Sequence, residues 1–164
     1  GVFFHYDINK RKIKFKNKYD IIFLLDVLEH IDNEKQFLKS CYFHLKKGGY
    51  LILNVPSLPG LFSKYDTVVG HIRRYKKNEL EKLLLKNKYK VYLIKYWGFF
   101  LIPILFLRKI LVNTSNDSKK NIIKKGMDTK SKFVWFILSV IKYLELNIIK
   151  FNIVGSSLIS IVKK

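Results

Sequence analysis

The sequence predicts an α/β domain built on a mostly parallel sheet, and three observations carry that expectation. Ile21–Leu25 and Tyr50–Val55 are uninterrupted apolar runs of strand length, the pattern of strands buried on both faces. Between them, Phe37, Leu38, Cys41, Tyr42 and Leu45 recur at helical spacing. The connections on either side are short, so strand, helix and strand read as one crossover within a parallel sheet.

The remaining elements follow in order. Val2–Tyr6 is a short apolar and aromatic run, expected to be a strand that stops at Asp7. Residues 9–18 are polar and basic, and Ile13 and Phe15 alternate, which suits a loop with one extended turn. Asp32 or Asn33 is placed to cap the first helix. Lys46 and Lys47 suit its C-terminus, and Gly48-Gly49 would end it. Residues 56–75 read as a loop closing on Gly70-His71-Ile72-Arg73-Arg74-Tyr75. Asn78 would cap a helix carrying Leu80, Leu83 and Leu84. Tyr89–Tyr96 alternates Lys with apolar residues, as a strand with one exposed face does. Gly155–Val162 is the expected last strand.

Between those last two strands lie the apolar segments Trp97–Val112 and Phe133–Ile149, joined by a polar linker over residues 113–131. The first is about a turn short of a membrane span and contains Pro103, Arg108 and Lys109. The second is interrupted by Lys142, Glu145 and Asn147. Both read as helices packed on the core or lying in a membrane interface. The expected division is a core over residues 1–97, a helical insertion over 98–153 and a last strand over 154–164.

Composition narrows the function. The chain has 164 residues and is 49% hydrophobic, enough for one domain with a substantial core. A formal net charge of +20 points to nucleic acid or an anionic membrane surface, or to the Lys-rich usage of an AT-rich genome. The lysines are scattered and form no aromatic-interleaved stripe, so nucleic acid is not the expected partner. Cys41 is the single cysteine, which excludes an internal disulfide and fits a reducing compartment. Its place in a helical pattern makes it a buried structural thiol. No secretory signal opens the sequence, so a cytoplasmic protein is expected, with a peripheral place at the inner membrane face as the variant. The chain starts on Gly1 and runs straight into strand-like residues, so further residues are expected upstream. Oligomeric state is not legible.

The residues that can carry chemistry gather after the first long apolar run. Asp26 follows Ile21–Leu25 directly, and Glu29 and His30 come about one turn later. Ligands of open α/β sheets bind outside the carboxyl ends of the strands. Carboxylates there accept hydrogen bonds from amino or hydroxyl groups, and a histidine there can exchange a proton near neutral pH. The same residues also serve as ordinary caps and turns, and local chemistry alone leaves both roles open. The four histidines are scattered and show no metal-ligand spacing, so no metal is expected.

FFHYDI, YDIIFLLDVLEHI, LKKGGYLILNVP and GHIRRY stand in this order. Together they resemble the class I S-adenosylmethionine-dependent methyltransferase family, and the resemblance covers nearly all of the chain. It implies a Rossmann-like fold with a mostly parallel sheet and an antiparallel last strand. It also implies a fold incomplete at the N-terminus, with a helical insertion before the last strand. By resemblance, Asp7 accepts a hydrogen bond from the adenine amino group, and Ile8 packs on the adenine ring. Leu25 and Asp26 line the methionine and ribose side of the S-adenosylmethionine pocket. His30 lies near the transferred methyl group. His71, Arg73, Arg74 and Tyr75 lie on the substrate side. His30 or His71 would act as base, and Arg73 and Arg74 would hold a carboxylate or phosphate. The family's G-x-G-x-G turn and the acidic residue after its second strand are not found here, which corresponds to roughly 60 residues. This chain alone is therefore expected to bind cofactor weakly and to be inactive. The expected reaction of the whole protein is methyl transfer to a small-molecule or lipid-linked substrate. The alternative is a truncated, non-catalytic module that binds a membrane surface or a partner. Asp26-Val27-Leu28-Glu29 differs from the Asn/Asp-Pro-Pro-Tyr/Phe turn of enzymes that methylate amino groups of nucleic acids.

Overall fold

The computed structural model describes residues 5–115, 118–119, 121–122, 132–147 and 153–164. Most of the expected first strand, most of the 113–131 linker and the end of the Phe133–Ile149 segment lie outside these residues. His5 and Tyr6, which are described, are irregular.

Among the described residues, four strands form one sheet in the order β1-β2-β4-β3. They are β1 (Tyr19–Leu25), β2 (Leu45–Pro56), β3 (Lys90–Trp97) and β4 (Ser157–Lys163). β1 and β2 pair in parallel, and β4 runs antiparallel to both β2 and β3. The sheet is thus the expected parallel array with an antiparallel last strand slotted into it. Helices among the described residues include α1 (Glu34–His44), α2 (Lys64–Val68), α3 (Lys77–Lys86), α4 (Ile102–Thr114) and α5 (Lys132–Asn147).

Register places one face of every strand in the core. Ile22 pairs with Leu51 and Leu24 with Leu53, while β4 sets Val162 against Leu51 and Leu158 against Val55. Leu38 and Cys41 of α1 and Leu80 and Leu84 of α3 belong to the same cluster, all fully buried. Full burial of each such side chain contributes about 1.5–3 kcal/mol.

The other face corrects the expectation for Ile21–Leu25. Ile21, Phe23 and Leu25 are 46%, 60% and 56% exposed. β1 is covered on one side only, and among the described residues it is also a sheet edge. An unbroken apolar run records what a strand can bury, and here only half is covered.

Several boundaries also shift. Residues 8–10 and 13–15 form 3-10 turns rather than an extended turn, and of Ile13 and Phe15 only Phe15 is buried. Asn33 is the cap of α1, its side chain accepting from the Gln36 amide at 3.0 Å. The helix ends at His44, ahead of Lys46, because Leu45 is fully buried and opens β2 opposite Tyr19. Gly48, at φ +81°, lies inside β2 instead of ending the helix. The 56–75 loop contains the short helix α2, closed by a Ser63–Asp66 capping box. Helix α3 begins at Lys77, capped at Lys76 and not at Asn78, because the Glu79 carboxylate reaches back to the Lys76 amide.

Cys41 is fully buried, and burial pushes its thiol up to about 12. It therefore stays protonated and inaccessible. Labelling of the native protein with a thiol reagent at pH 8 is expected to be at least about 100-fold slower than in denaturant. Equal rates would show that the α1–sheet interface opens readily.

Candidate active site

The carboxyl ends of β1 and β2 form a rim. Asp26 leaves β1 in a left-handed conformation at φ +53°, which Asp tolerates better than most residues. Its amide donates to the Asn54 carbonyl at 3.0 Å. The Asn54 side-chain amide donates to the Asp26 carboxylate at 2.7 Å, and the Trp97 indole donates to Asn54 Oδ1 at 2.8 Å. This chain of bonds ties together the ends of three strands.

A cavity of about 690 Å³ opens beside the rim, lined by Leu25, Asp26, Asn54 and Trp97 and by Leu138 and Ile141 of α5. Glu145 anchors α5 over it, its carboxylate accepting from the Gly98 and Phe99 amides at 3.0 and 3.2 Å. The lining is mainly apolar, and Asp26 supplies an exposed carboxylate.

Beyond Asp26 the chain makes a 3-10 turn over Leu28–His30. Glu29 is fully buried, and neither carboxylate oxygen has a hydrogen-bond partner. Burial pushes its carboxyl above the usual carboxylate range, and the Asp26 charge adds to the rise. Its own amide, His71 and His30 pull the other way.

Gly70 and His71 close on this turn. The Ile72 amide donates to the Glu29 carbonyl at 2.9 Å. His30 Nδ1 lies 2.9 Å from the Gly70 carbonyl. A carbonyl only accepts, so Nδ1 donates, and in the neutral ring Nε2 holds the lone pair. His71 Nδ1 lies 3.0 Å from Asp66 Oδ1, which sets the same tautomer. The two rings meet edge to face, 4.8 Å between centroids. His71 Nε2 stands 3.8 Å from Glu29 Oε1. One donor atom from each of Glu29, His30 and His71 lies within 4.8 Å of the other two.

Asp66 is the anchor behind this pair. Burial alone would raise its carboxyl, but hydrogen bonds from His71, Arg74 and Ser63 and the Arg74 charge bring it to about 2. Arg74 is buried, with Nε and Nη2 at 2.8 and 2.7 Å from Asp66 Oδ1 and Nη1 donating to the Ser57 carbonyl at 3.2 Å. Arg73 pairs with Glu34 at 2.8 Å and donates to the Asp32 carbonyl. Tyr75 is buried, and its hydroxyl donates to Glu34 at 2.8 Å. Burial and that carboxylate raise its hydroxyl pKa.

The structure thus brings His30 and His71 together across 41 residues and sets Leu25 and Asp26 on one cavity wall. Arg73, Arg74 and Tyr75 are held by acceptors of the protein itself. Asp7 caps the turn over Ile8–Lys10 by accepting from the Asn9 amide at 3.0 Å. Ile8 packs at the edge of the main core, and the turn is tied to α1 through Arg11 and Ser40. Asn54, Asp66, Trp97 and Glu145 were not legible as site residues. Only the Ser63-x-x-Asp66 spacing signalled a cap.

The family model for the methyltransferase domain matches residues 4–94, more than half of the chain. No protein in a search of curated sequences matches. Among solved structures, an S-adenosylmethionine-dependent methyltransferase from Archaeoglobus fulgidus is similar at 19% identity and TM-score 0.50. The match covers 97% of this chain and 66% of that one. A protein from Bacillus halodurans C-125 assigned to the methyltransferases is 18% identical, with TM-score 0.53 and coverage of 91% and 71%. A [4+2]-cyclase, SpnF, is 14% identical with TM-score 0.50, covering 91% of this chain and 50% of its own. These likenesses establish a Rossmann-like α/β fold, and the chain spans about two thirds of the first two relatives. By its sequence, this chain belongs to the methyltransferase domain family.

Proposed function

We propose that the chain forms one wall of an S-adenosylmethionine-dependent methyltransferase site, acting on a small-molecule or lipid-linked acceptor. The observation that carries the reading is the cavity at the carboxyl ends of the parallel pair β1 and β2, with Leu25 and Asp26 in its wall. Its volume is within the roughly 300–1,000 Å³ of small-molecule sites. An apolar wall with one exposed carboxylate fits a cationic, largely apolar cofactor. Leu25 would line it, and Asp26, steadied by Asn54, would accept its hydroxyl or amino protons. When bound, the cofactor supplies an electrophilic methyl group. No G-x-G-x-G occurs within residues 1–164, so the carboxypropyl end would be held by other residues.

The chain's own contribution to the reaction is positional. His71, oriented by Asp66, presents Nε2 as a hydrogen-bond acceptor for an acceptor's hydroxyl or amine proton. His30 presents a second such nitrogen beside it. Arg73, Arg74 and Tyr75 act as the frame that holds the Gly70–His71 segment in place, rather than as an anion clamp. Family membership leaves the acceptor open, since one similar fold belongs to a cyclase.

Titration with S-adenosylhomocysteine tests the cofactor reading. Asp26→Ala is expected to weaken binding by about tenfold or more. No binding, either by this chain or by a version extended upstream, would sink it. In an active extended version, His71→Ala is expected to lower kcat by about 10².

Helix α4 favours a lipid-linked acceptor. Ile104, Phe106, Leu107, Ile110 and Leu111 are 45–60% exposed and span an arc of about 160°. Its cations face inward: Arg108 lies 3.9 Å over the Tyr65 ring, and Lys109 donates to the Gly60 carbonyl. A basic protein with an outward apolar helix suits an anionic bilayer surface. No helix among the described residues is long and apolar enough to cross a membrane. Co-sedimentation with phosphatidylglycerol vesicles is expected at low salt and should be lost in Leu107→Glu. Equal sedimentation of both forms would remove the membrane from the proposal. The apolar stripe Ile21–Phe23–Leu25 on an edge strand supports the second reading, a module that docks on a partner without catalysis.

A further inference from the structure

We infer that Glu29, His30 and His71 form a binding site for one divalent transition ion of the zinc class. Both histidines have Nδ1 turned to an oxygen acceptor, the Gly70 carbonyl for His30 and the Asp66 carboxylate for His71. That arrangement fixes the tautomer and leaves Nε2 bare on each ring, as outer partners do for metal-bound imidazoles. The Asp66–His71 pair is a carboxylate–histidine couple of the kind that raises ligand basicity.

The third member supplies the independent observation. Glu29 is fully buried, and both of its oxygens lack a hydrogen-bond partner. A buried carboxylate without a donor is costly, and a cation offsets that cost. His71 Nε2 lies 3.8 Å from Glu29 Oε1. In the neutral ring with its proton on Nδ1 toward Asp66, that nitrogen carries a lone pair and does not donate to Glu29. A cation held between the Glu29 oxygen and His71 Nε2 would satisfy both lone pairs.

Geometry and chemistry set the class of ion. One carboxylate oxygen of Glu29 and one ring nitrogen of each histidine lie within 4.8 Å of one another. Ligands on one tetrahedral zinc ion are about 3.4 Å apart, so the cluster needs to close by up to about 1.4 Å. Two imidazoles and one carboxylate are the ligand set of open zinc sites, with a position left for water or substrate. Oxygen-seeking ions such as Mg²⁺ would not select two imidazoles. His30 is exposed and His71 partly so, which gives the ion a path in. If methyl transfer is the activity, an ion bound here would take up both Nε2 lone pairs, and the ion instead of the free imidazoles would polarise the acceptor's oxygen or nitrogen. That consequence rests on the methyltransferase reading, whereas the binding does not.

The test needs neither cofactor nor acceptor. The chain, free of any affinity tag, is titrated with Zn²⁺ by calorimetry and with Co²⁺ by visible absorption. One Zn²⁺ per chain and the intense bands of low-coordinate Co²⁺ are expected. His30→Gln, at an exposed position, should keep the thermal midpoint of the parent and weaken Zn²⁺ by at least about tenfold. His71→Gln should do the same where it folds. No Zn²⁺ binding, or binding unchanged in His30→Gln, overturns the site. An imidazolium shared between Asp66 and Glu29 is the competing arrangement, and it predicts the first of these negative results. Retained S-adenosylhomocysteine binding alongside a failed metal titration would separate this inference from the proposed function.

Discussion

Asp66→Ala is expected to destabilise the protein by about 3–5 kcal/mol, the cost of leaving a buried cation without its partner. Arg74 is buried with its Nε and Nη2 both on Asp66 Oδ1. Removing the carboxylate strands the guanidinium with one carbonyl acceptor and frees the His71 ring. It also opens the capping box that Ser63 makes with Asp66 Oδ2 at 3.0 Å. Urea unfolding read by circular dichroism measures the loss. A change below about 1 kcal/mol would show that water reaches the Arg74 site.

Acid should act on the same group. The Asp66 carboxyl is lowered from 3.8 to about 2 by folding. The unfolded chain therefore binds the proton more readily than the folded one in that window. Its contribution is fully present above pH 4 and is lost as pH falls toward 2. In Asp66→Asn this part of the acid transition should disappear.

Gly155→Ala is the second large expectation, at about 3 kcal/mol. A Cβ built on Gly155 stands 2.8 Å from both the backbone N and C of Trp97 and overlaps its carbonyl oxygen. Backbone cannot swing aside as a side-chain tip does, so β3 or β4 must move. The Ser57 hydroxyl also donates to the Gly155 carbonyl, so the shift would reach the loop after β2. Trp97 and Asn54 form the rim beside Asp26, so any ligand binding in the adjoining cavity should weaken with stability. Gly60→Ala is the matched control, because a Cβ there meets nothing within 4 Å. Similar midpoints for the two variants would refute the close approach at Trp97.

From β1 onward most of the order of the described elements was legible from periodicity, because apolar runs and 3.6-residue spacing are local records of burial, whereas α2 inside the 56–75 loop was not. The fold class, the parallel β1–β2 pair and the antiparallel β4 follow from residues within each element and from the family resemblance. Boundaries were less so. Lys46, Lys47 and Gly48-Gly49 carry ordinary helix-ending chemistry, yet Leu45 already belongs to β2, because pairing with Tyr19 and full burial outweigh a basic C-terminus.

His30 and His71 were each legible as candidates from sequence, and so was the Asp26 rim. Their meeting was not. It depends on the Ile72–Glu29 backbone bond and on Asp66, both set by how the 56–75 loop packs onto the turn after β1. Likewise Arg73, Arg74 and Tyr75 look alike in a polar motif, and only packing shows Arg74 held by Asp66 and Tyr75 in the core. Gly60 and Gly155 are the same residue in sequence and opposites in space. The chain alone determined which residues can do chemistry and which segments bury themselves. The tertiary structure decided which of them touch, because contacts across tens of residues are set by long-range packing and leave no local period to read.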